Sequence, residues 1–233
     1  MVDLVTMGQV FSARARLRIV EELLRGPETA DSLGAKLSLR PVTVHHHLRV
    51  LANAGLLEEM APRRSGKSGR PSSLFRLAPG SVSLQFPPRN YQLFAELLMG
   101  LLTAHLPPKK LLAAARALGK QFGRELATQL LQRSGRQRWD IALLRKWLVD
   151  THAAEGGFAP EVLEETPTCL RYRLHNCVIL EMAKKHPEFA CALDMPMVRT
   201  LTQITNGRTS VRQISCMGHG GECCEYEIRT PSR

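Results

Sequence analysis

Apolar positions in the first sixty residues recur at spacings of three and four, the helical period. In 12–25, Leu17, Val20, Leu23 and Leu24 share one face, and Gly26-Pro27 ends the segment. Residues 29–38 predict a second short helix, with Thr29 as its cap and Leu33 and Leu37 as its stripe. A third runs over 41–53, opened by Pro41 and closed by Gly55. It has two faces. Val44, Leu48 and Leu51 form a core face, while Val42, His45, His46 and Arg49 form another, with Thr43 at its edge and Arg40 at its start. His47 is assigned to the edge of the core. Past Gly55 the pattern changes to two strands, Leu56–Met60 and Ser73–Ala78, around a Gly/Ser/Pro loop carrying Arg63, Arg64, Lys67 and Arg70.

Two short helices joined by a tight turn, the second with a polar and basic face, form a helix-turn-helix pattern, whose second helix enters the major groove of DNA. Thr43, His45, His46 and Arg49 are the expected base contacts, and Arg40 is a further expected DNA contact. A basic hairpin behind such a helix reads as a wing, so Arg63, Arg64, Lys67 and Arg70 are expected to meet phosphate or the minor groove.

Residues 89–105 and 108–132 predict helices split by Pro107-Pro108. The first is apolar on most sides (Tyr91, Leu93, Phe94, Leu97, Leu98, Leu101, Leu102), which predicts a buried surface and a partner subunit to cover it. The second sets Leu111, Leu112, Ala115, Leu118, Phe122, Leu126 and Leu130 opposite Lys109, Lys110, Arg116, Lys120 and Arg124. A third helix is expected over 138–153. Two short strands follow within 157–175, then a mostly helical stretch opened by Cys177 and ending at Asn206-Gly207, then a closing strand pair. The expected class is α+β, with a winged helix-turn-helix domain over 1–80, a helical linker and dimerisation region over 81–156, and a small α+β sensor domain over 157–233.

Charge sharpens this division. The chain has 233 residues and a net charge of +11. Residues 1–146 hold 23 basic and 10 acidic side chains, and 147–233 hold 9 and 11, so the front half is the one suited to a polyanion. Leu93–Leu106, the longest apolar stretch, is broken by Glu96, Thr103 and His105, and no secretory leader is evident, so no membrane association and a cytoplasmic location are expected. No nucleotide-binding loop, GxSxG elbow, HExxH or CxxC occurs, which argues against an enzyme.

Six cysteines in a reducing compartment read as free, metal-bound or redox-active rather than as a disulfide frame. Cys177, Cys191, Cys216 and Cys224 fall at element ends, the last two flanking a Gly-rich loop that could bring backbone N–H groups to sulfur. Four thiolates hold an iron–sulfur cluster, while four Cys, or three Cys and a His, hold zinc, and His175, His186 and His219 lie nearby in sequence. Spacing alone also allows small buried hydrophobes.

The runs TVHHHLRVLANAGLLEE and SGRPSSLFRLAP resemble the winged-helix repressors of the ArsR-like superfamily, over 12–79. The runs NCVILEMAKKHPEFAC and CMGHGGECCEYEI resemble the sensor domain of the iron–sulfur-responsive repressors of cluster-assembly (Suf) operons, departing at Val178, where proline is usual. The resemblance implies Cys177, Cys191, Cys216 and Cys224 as ligands of a two-iron or four-iron cluster, and gives Cys169 and Cys223 no role. It implies a homodimer on double-stranded DNA, at a palindromic operator, with operator affinity set by the cluster. The rival expectations are a winged-helix regulator of a small organic effector or zinc and, behind it, a thiol-dependent enzyme.

Overall fold

A computed structural model describes residues 4–60, 72–78 and 89–231. The fold is α+β, in two compact units, Met1–Arg89 and Asn90–Arg233. The wing cations Arg63, Arg64, Lys67 and Arg70 lie outside the described residues.

The first unit contains α1 (Leu4–Phe11), α2 (Arg14–Leu24), β1 (Glu28–Thr29), α3 (Ala30–Leu37), α4 (Pro41–Asn53), β2 (Leu57–Met60) and β3 (Leu74–Leu77). Thr29 caps α3 in a reciprocal box with Ser32, and Ser38 takes a left-handed conformation (φ 57°) that turns the chain into α4. Ile19, Leu33, Val44, Leu48 and Leu51 form the dry centre. The expected face of the first helix needs correction: Leu23 is buried as expected, but Leu17 is exposed, and Ile19 and Arg16 are buried in its stead. Arg16 is held there by donating to the Gln9 and Val10 carbonyls at the end of α1, which rotates Leu17 outward. The short β1, with no periodicity to announce it, completes an antiparallel sheet of order β1-β3-β2.

The second unit opens with α5 (Tyr91–His105) and α6 (Pro108–Ser134). A helix then runs from Ile141 as α7 (Ile141–Leu144) and widens to π geometry over Arg145–Ala153. β4 (Pro160–Thr166), β5 (Cys169–Leu174), α8 (Leu180–Lys185), α9 (Pro187–Asn206), β6 (Ser210–Ser215) and β7 (Cys224–Arg229) follow, the strands forming an antiparallel sheet of order β4-β5-β7-β6.

One expectation about the helices is revised, that for the buried stripe of α6. On α5 only Met99 is buried; Tyr91, Leu93, Phe94, Leu97, Leu98 and Leu101 are exposed within the chain. On α6, Leu118 and Phe122 also face outward, and the buried stripe is Leu111, Ala115, Gly119, Gly123, Ala127 and Leu130. Gly119 lies against the Leu193 carbonyl, and a Cβ on Gly123 would come within 2.5 Å of the Met197 carbonyl oxygen. Small residues four apart let the backbones of α6 and α9 nearly touch, and this register makes the two helices parallel.

Strand register sorts the sheet into two faces. Leu170, Tyr172 and Leu174 on β5 pair with Ile228, Tyr226 and Cys224 on β7, and this set faces the helices. The alternate residues form an ionic face, where Glu225 accepts from Arg171 Nε (2.6 Å) and Arg173 Nε (2.7 Å), and Glu227 pairs with Arg212 and Arg229. Arg173, with Arg171, holds the Glu225 carboxyl below its ordinary 4.5, and Arg229 does the same for Glu227. A carboxyl with a lowered native pKa contributes stability above its unfolded value, which is lost as pH falls through the native one. Melting temperature is therefore expected to hold above about pH 5 and to drop below about pH 4. In Glu225→Gln that acid-side drop is expected to be shallower, as followed by circular dichroism.

Candidate DNA-reading helix and thiol cluster

Arg40, Thr43, His45, His46 and Arg49 are all exposed on α4 or at its N-terminal cap, while Val44, Leu48 and Leu51 anchor its opposite side. Val42 is 81% exposed, so the first turn projects freely. His47 is half-buried; burial, with the charge of Arg16 second, pushes its pKa down. It is thus set apart from His45 and His46, which face solvent.

In the second unit Cys177 lies in the loop before α8, a correction to its expected place as the opening of a helix; the Leu180 N–H donates to its carbonyl (3.0 Å). Cys191 is in the second turn of α9, Cys216 follows β6, and Cys224 begins β7 on the face toward the helices. The Cys191 and Cys216 sulfurs are 3.3 Å apart, and His219 Nδ1 is 3.8 Å from the Cys191 sulfur. Among the described residues these three are the one group of three or more donors with ligand atoms all within 4.8 Å of one another.

The loop between β6 and β7 shapes this site. The His219 and Gly221 N–H groups both donate to the Cys216 carbonyl (3.1 and 2.9 Å), closing a single turn over Met217–His219. Gly220 has φ +87°, and a Cβ on Gly221 would come within 2.9 Å of that same carbonyl oxygen, so both positions require glycine. The turn aims the Met217 N–H at the Cys224 sulfur (3.4 Å). Burial pushes the Cys177 thiol up, and the backbone at Ile179 opposes that rise in part.

Burial pushes the Cys191 and Cys224 thiols up to about 12, with Cys216 adding to both. Burial raises Cys177 as well, and Cys216 again contributes. Cys216 is thus the neighbour common to the other three. Below them the Asp194 carboxyl accepts from Tyr226 Oη, and Tyr226 stacks on Tyr172 with centroids 5.4 Å apart. Desolvation pushes the Asp194 carboxyl up. Without a bound cation, the Cys177, Cys191 and Cys224 thiols are therefore held neutral by burial, the setting in which a metal displaces their protons.

Cys169 and Cys223 stand apart. Cys169 is buried on β5 opposite Arg229, at the other end of the strand pairing that places Leu174 opposite Cys224. Cys223 lies beside Arg173 on the ionic side. Of the three histidines near the cysteines in sequence, His175 pairs with Glu161 (2.8 Å) and His186 precedes α9, leaving His219 as the one at the thiols. No motif marks His219; only its place in the Gly-rich loop hints at it.

Residues 14–59 match the family model of the bacterial regulatory proteins of the arsR family. The match spans α2 to β2, including the whole helix-turn-helix, and leaves the thiol cluster outside it. No curated protein matches the chain. No helix among the described residues is long and apolar enough to cross a membrane.

Proposed function

We propose that this protein is a DNA-binding transcription regulator, of repressor type, that acts as a homodimer on a palindromic operator. We further propose that its operator affinity is set by an iron–sulfur cluster held by Cys177, Cys191, Cys216 and Cys224. The observation that carries the regulator reading is the arsR-type helix-turn-helix, with Thr43, His45, His46 and Arg49 exposed on its second helix. In this reading the wing cations Arg63, Arg64, Lys67 and Arg70 meet phosphate or the minor groove. The exposed apolar surface of α5 supports a dimer, since such a surface is costly to leave in water.

The donor set suits the cluster. The neighbouring sulfurs of Cys191 and Cys216 are soft donors, and the Met217 N–H directed at the Cys224 sulfur is the arrangement that stabilises thiolate charge in such centres; Cys177 completes the set in this reading. A bound cluster supplies a redox-sensitive link between chain segments. The protein's own residues would convey its state: Cys177 through α8, Cys191 through α9, Cys216 and Cys224 through the β6–β7 turn. α9 lies against α6, so a shift of α9 would reach the helices that carry the proposed dimer surface.

One observation favours a second reading, zinc. A tetrahedral zinc with Zn–S of about 2.3 Å sets two thiolates about 3.8 Å apart. The Cys191–Cys216 separation of 3.3 Å and the His219 contact at 3.8 Å approach that geometry, with Cys224 available as a fourth donor.

The deciding experiment is an anaerobic preparation of the full chain with iron, sulfide and zinc measured per chain, and operator affinity measured before and after oxidation. Iron and sulfide in equal amounts, with at least a tenfold loss of affinity on oxidation, is the expected result. Zinc alone selects the second reading; no metal of either kind rejects sulfur-based sensing. On the DNA side, Arg49→Ala is expected to cost about 1–3 kcal/mol at particular base pairs. A uniform loss across all sequences would remove Arg49 from base reading.

A further inference from the structure

Beside the thiol cluster lies a cavity of about 710 Å³ between α6 and α9, with His219 in its lining. Leu112, Arg116 and Lys120 supply one wall at i, i+4 and i+8, a single face of α6. Cys191 and Arg199 line the facing wall from α9, and Met195 adds apolar surface. None of Arg116, Lys120 and Arg199 has a carboxylate partner among the described residues, and Arg199 is steadied by a contact to the Val211 carbonyl (3.4 Å). Glu188 is the one acidic residue of the lining, so the cavity carries three cations against one anion. In the parallel register of α6 and α9, Glu188 belongs to the Leu112 end and Arg199 lies beyond Lys120, which gives the cavity an acidic end and a longer basic stretch.

We infer that this cavity is a binding site for a small organic polyanion, with carboxylate groups held by Arg116, Lys120 and Arg199 and a carbon skeleton lying on Leu112 and Met195. Its volume falls in the range of small-molecule sites. The mixed lining points to an organic acid rather than a bare inorganic ion, because an ion would leave the apolar wall without a partner. Cys191 and His219 are shared between the cavity and the thiol cluster, so an occupant shields the side of Cys191 that faces solvent. The site therefore gives the sensing unit a second input, from the organic-acid pool, next to the sulfur centre. The inference takes from the proposed function only that the region holding the four cysteines is a sensor, and its test involves neither DNA nor metal.

The test uses the full-length, reduced, metal-free chain with citrate as the probe, followed by calorimetric titration. Sulfate at equal ionic strength serves as the inorganic control. Saturable citrate binding is expected, at least tenfold tighter than sulfate, and weakened at least tenfold in Lys120→Gln and in Arg116→Gln/Arg199→Gln. Lys109→Gln, outside the cavity lining, is expected to bind as the parent does. All these side chains are exposed, so folding is expected to survive, and circular dichroism verifies it. Bound citrate is also expected to slow alkylation of Cys191 by iodoacetamide while leaving Cys223 unaffected. Equal binding of citrate and sulfate, no binding, or equal loss in Lys109→Gln overturns the proposal, as does citrate binding without protection of Cys191. Failure on any of these leaves the metal content and operator measurements untouched, so the regulator reading stands or falls separately.

Discussion

Gly119→Ala is expected to destabilise the Asn90–Arg233 unit by about 3 kcal/mol or more, at the top of the range for overpacking a tight contact. The added methyl would run into the Leu193 backbone carbonyl, which belongs to a helix and cannot rotate away as a side chain would. The two helices must separate, and the layer formed by Ala127, Leu130, Val198 and Leu201 loosens with them. For a unit of this size the loss corresponds to a fall of roughly 6–12 °C in melting temperature. The internal control is Gly100→Ala on α5. Nothing lies within 4 Å of a Cβ there, so only helix propensity changes, and that variant is expected to gain about 0.5–1 kcal/mol. Opposite signs for the same chemical change at two helical glycines would identify close approach as the cause. Equal effects would mean that α6 and α9 do not meet at Gly119.

The second large effect is expected at Cys216. Its sulfur lies 3.3 Å from that of Cys191, and it contributes to the raised pKa of Cys177, Cys191 and Cys224. Cys216→Ser therefore removes the donor common to the whole group. Metal affinity is expected to fall by more than about 100-fold, beyond the loss typical of outer-shell changes, and the anaerobically purified variant should hold almost no metal. Cys169→Ser and Cys223→Ser, in the separate settings described above, are expected to retain the parent content. His219→Ala divides the two metal readings: a loss comparable with Cys216→Ser selects zinc bound by Cys191, Cys216 and His219, while full retention selects the four-cysteine set. If Cys216→Ser keeps its metal, the centre lies elsewhere in the chain.

Most of the helix-turn-helix could be read from sequence because its determinants are local. Pro41 sets the start of α4, Thr29 caps α3, and Val44, Leu48 and Leu51 repeat at the helical period, so one window of residues carries the instruction. Alternation in CLRYRL and CEYEI similarly marks β5 and β7 and assigns their inner faces. The failures share a different cause. Leu118 and Phe122 look like a core face by size and polarity, yet α6 buries Ala115, Gly119, Gly123 and Ala127 instead. Glycine and alanine carry almost no hydrophobic signal, and their value lies in how near another backbone can come, which is a property of two helices and not of one. Leu17 is exposed for a related reason: Arg16 finds carbonyl acceptors at the end of α1, a contact that no periodicity announces.

The functional residues divide along the same line. The sequence by itself determined the polar face of α4, the cationic balance of the front half and the four cysteines at element ends, because each rests on residue type and short-range spacing. Tertiary structure alone decided that His219 meets Cys191 and Cys216, that Cys169 does not, and that Arg116, Lys120 and Arg199 line one cavity with Cys191. Those groupings join side chains up to 83 positions apart, as Arg116 and Arg199 are. Their distances are set by how closely α6 and α9 approach and by the register of β5 on β7, and both follow from burying the shared core rather than from any signal along the chain.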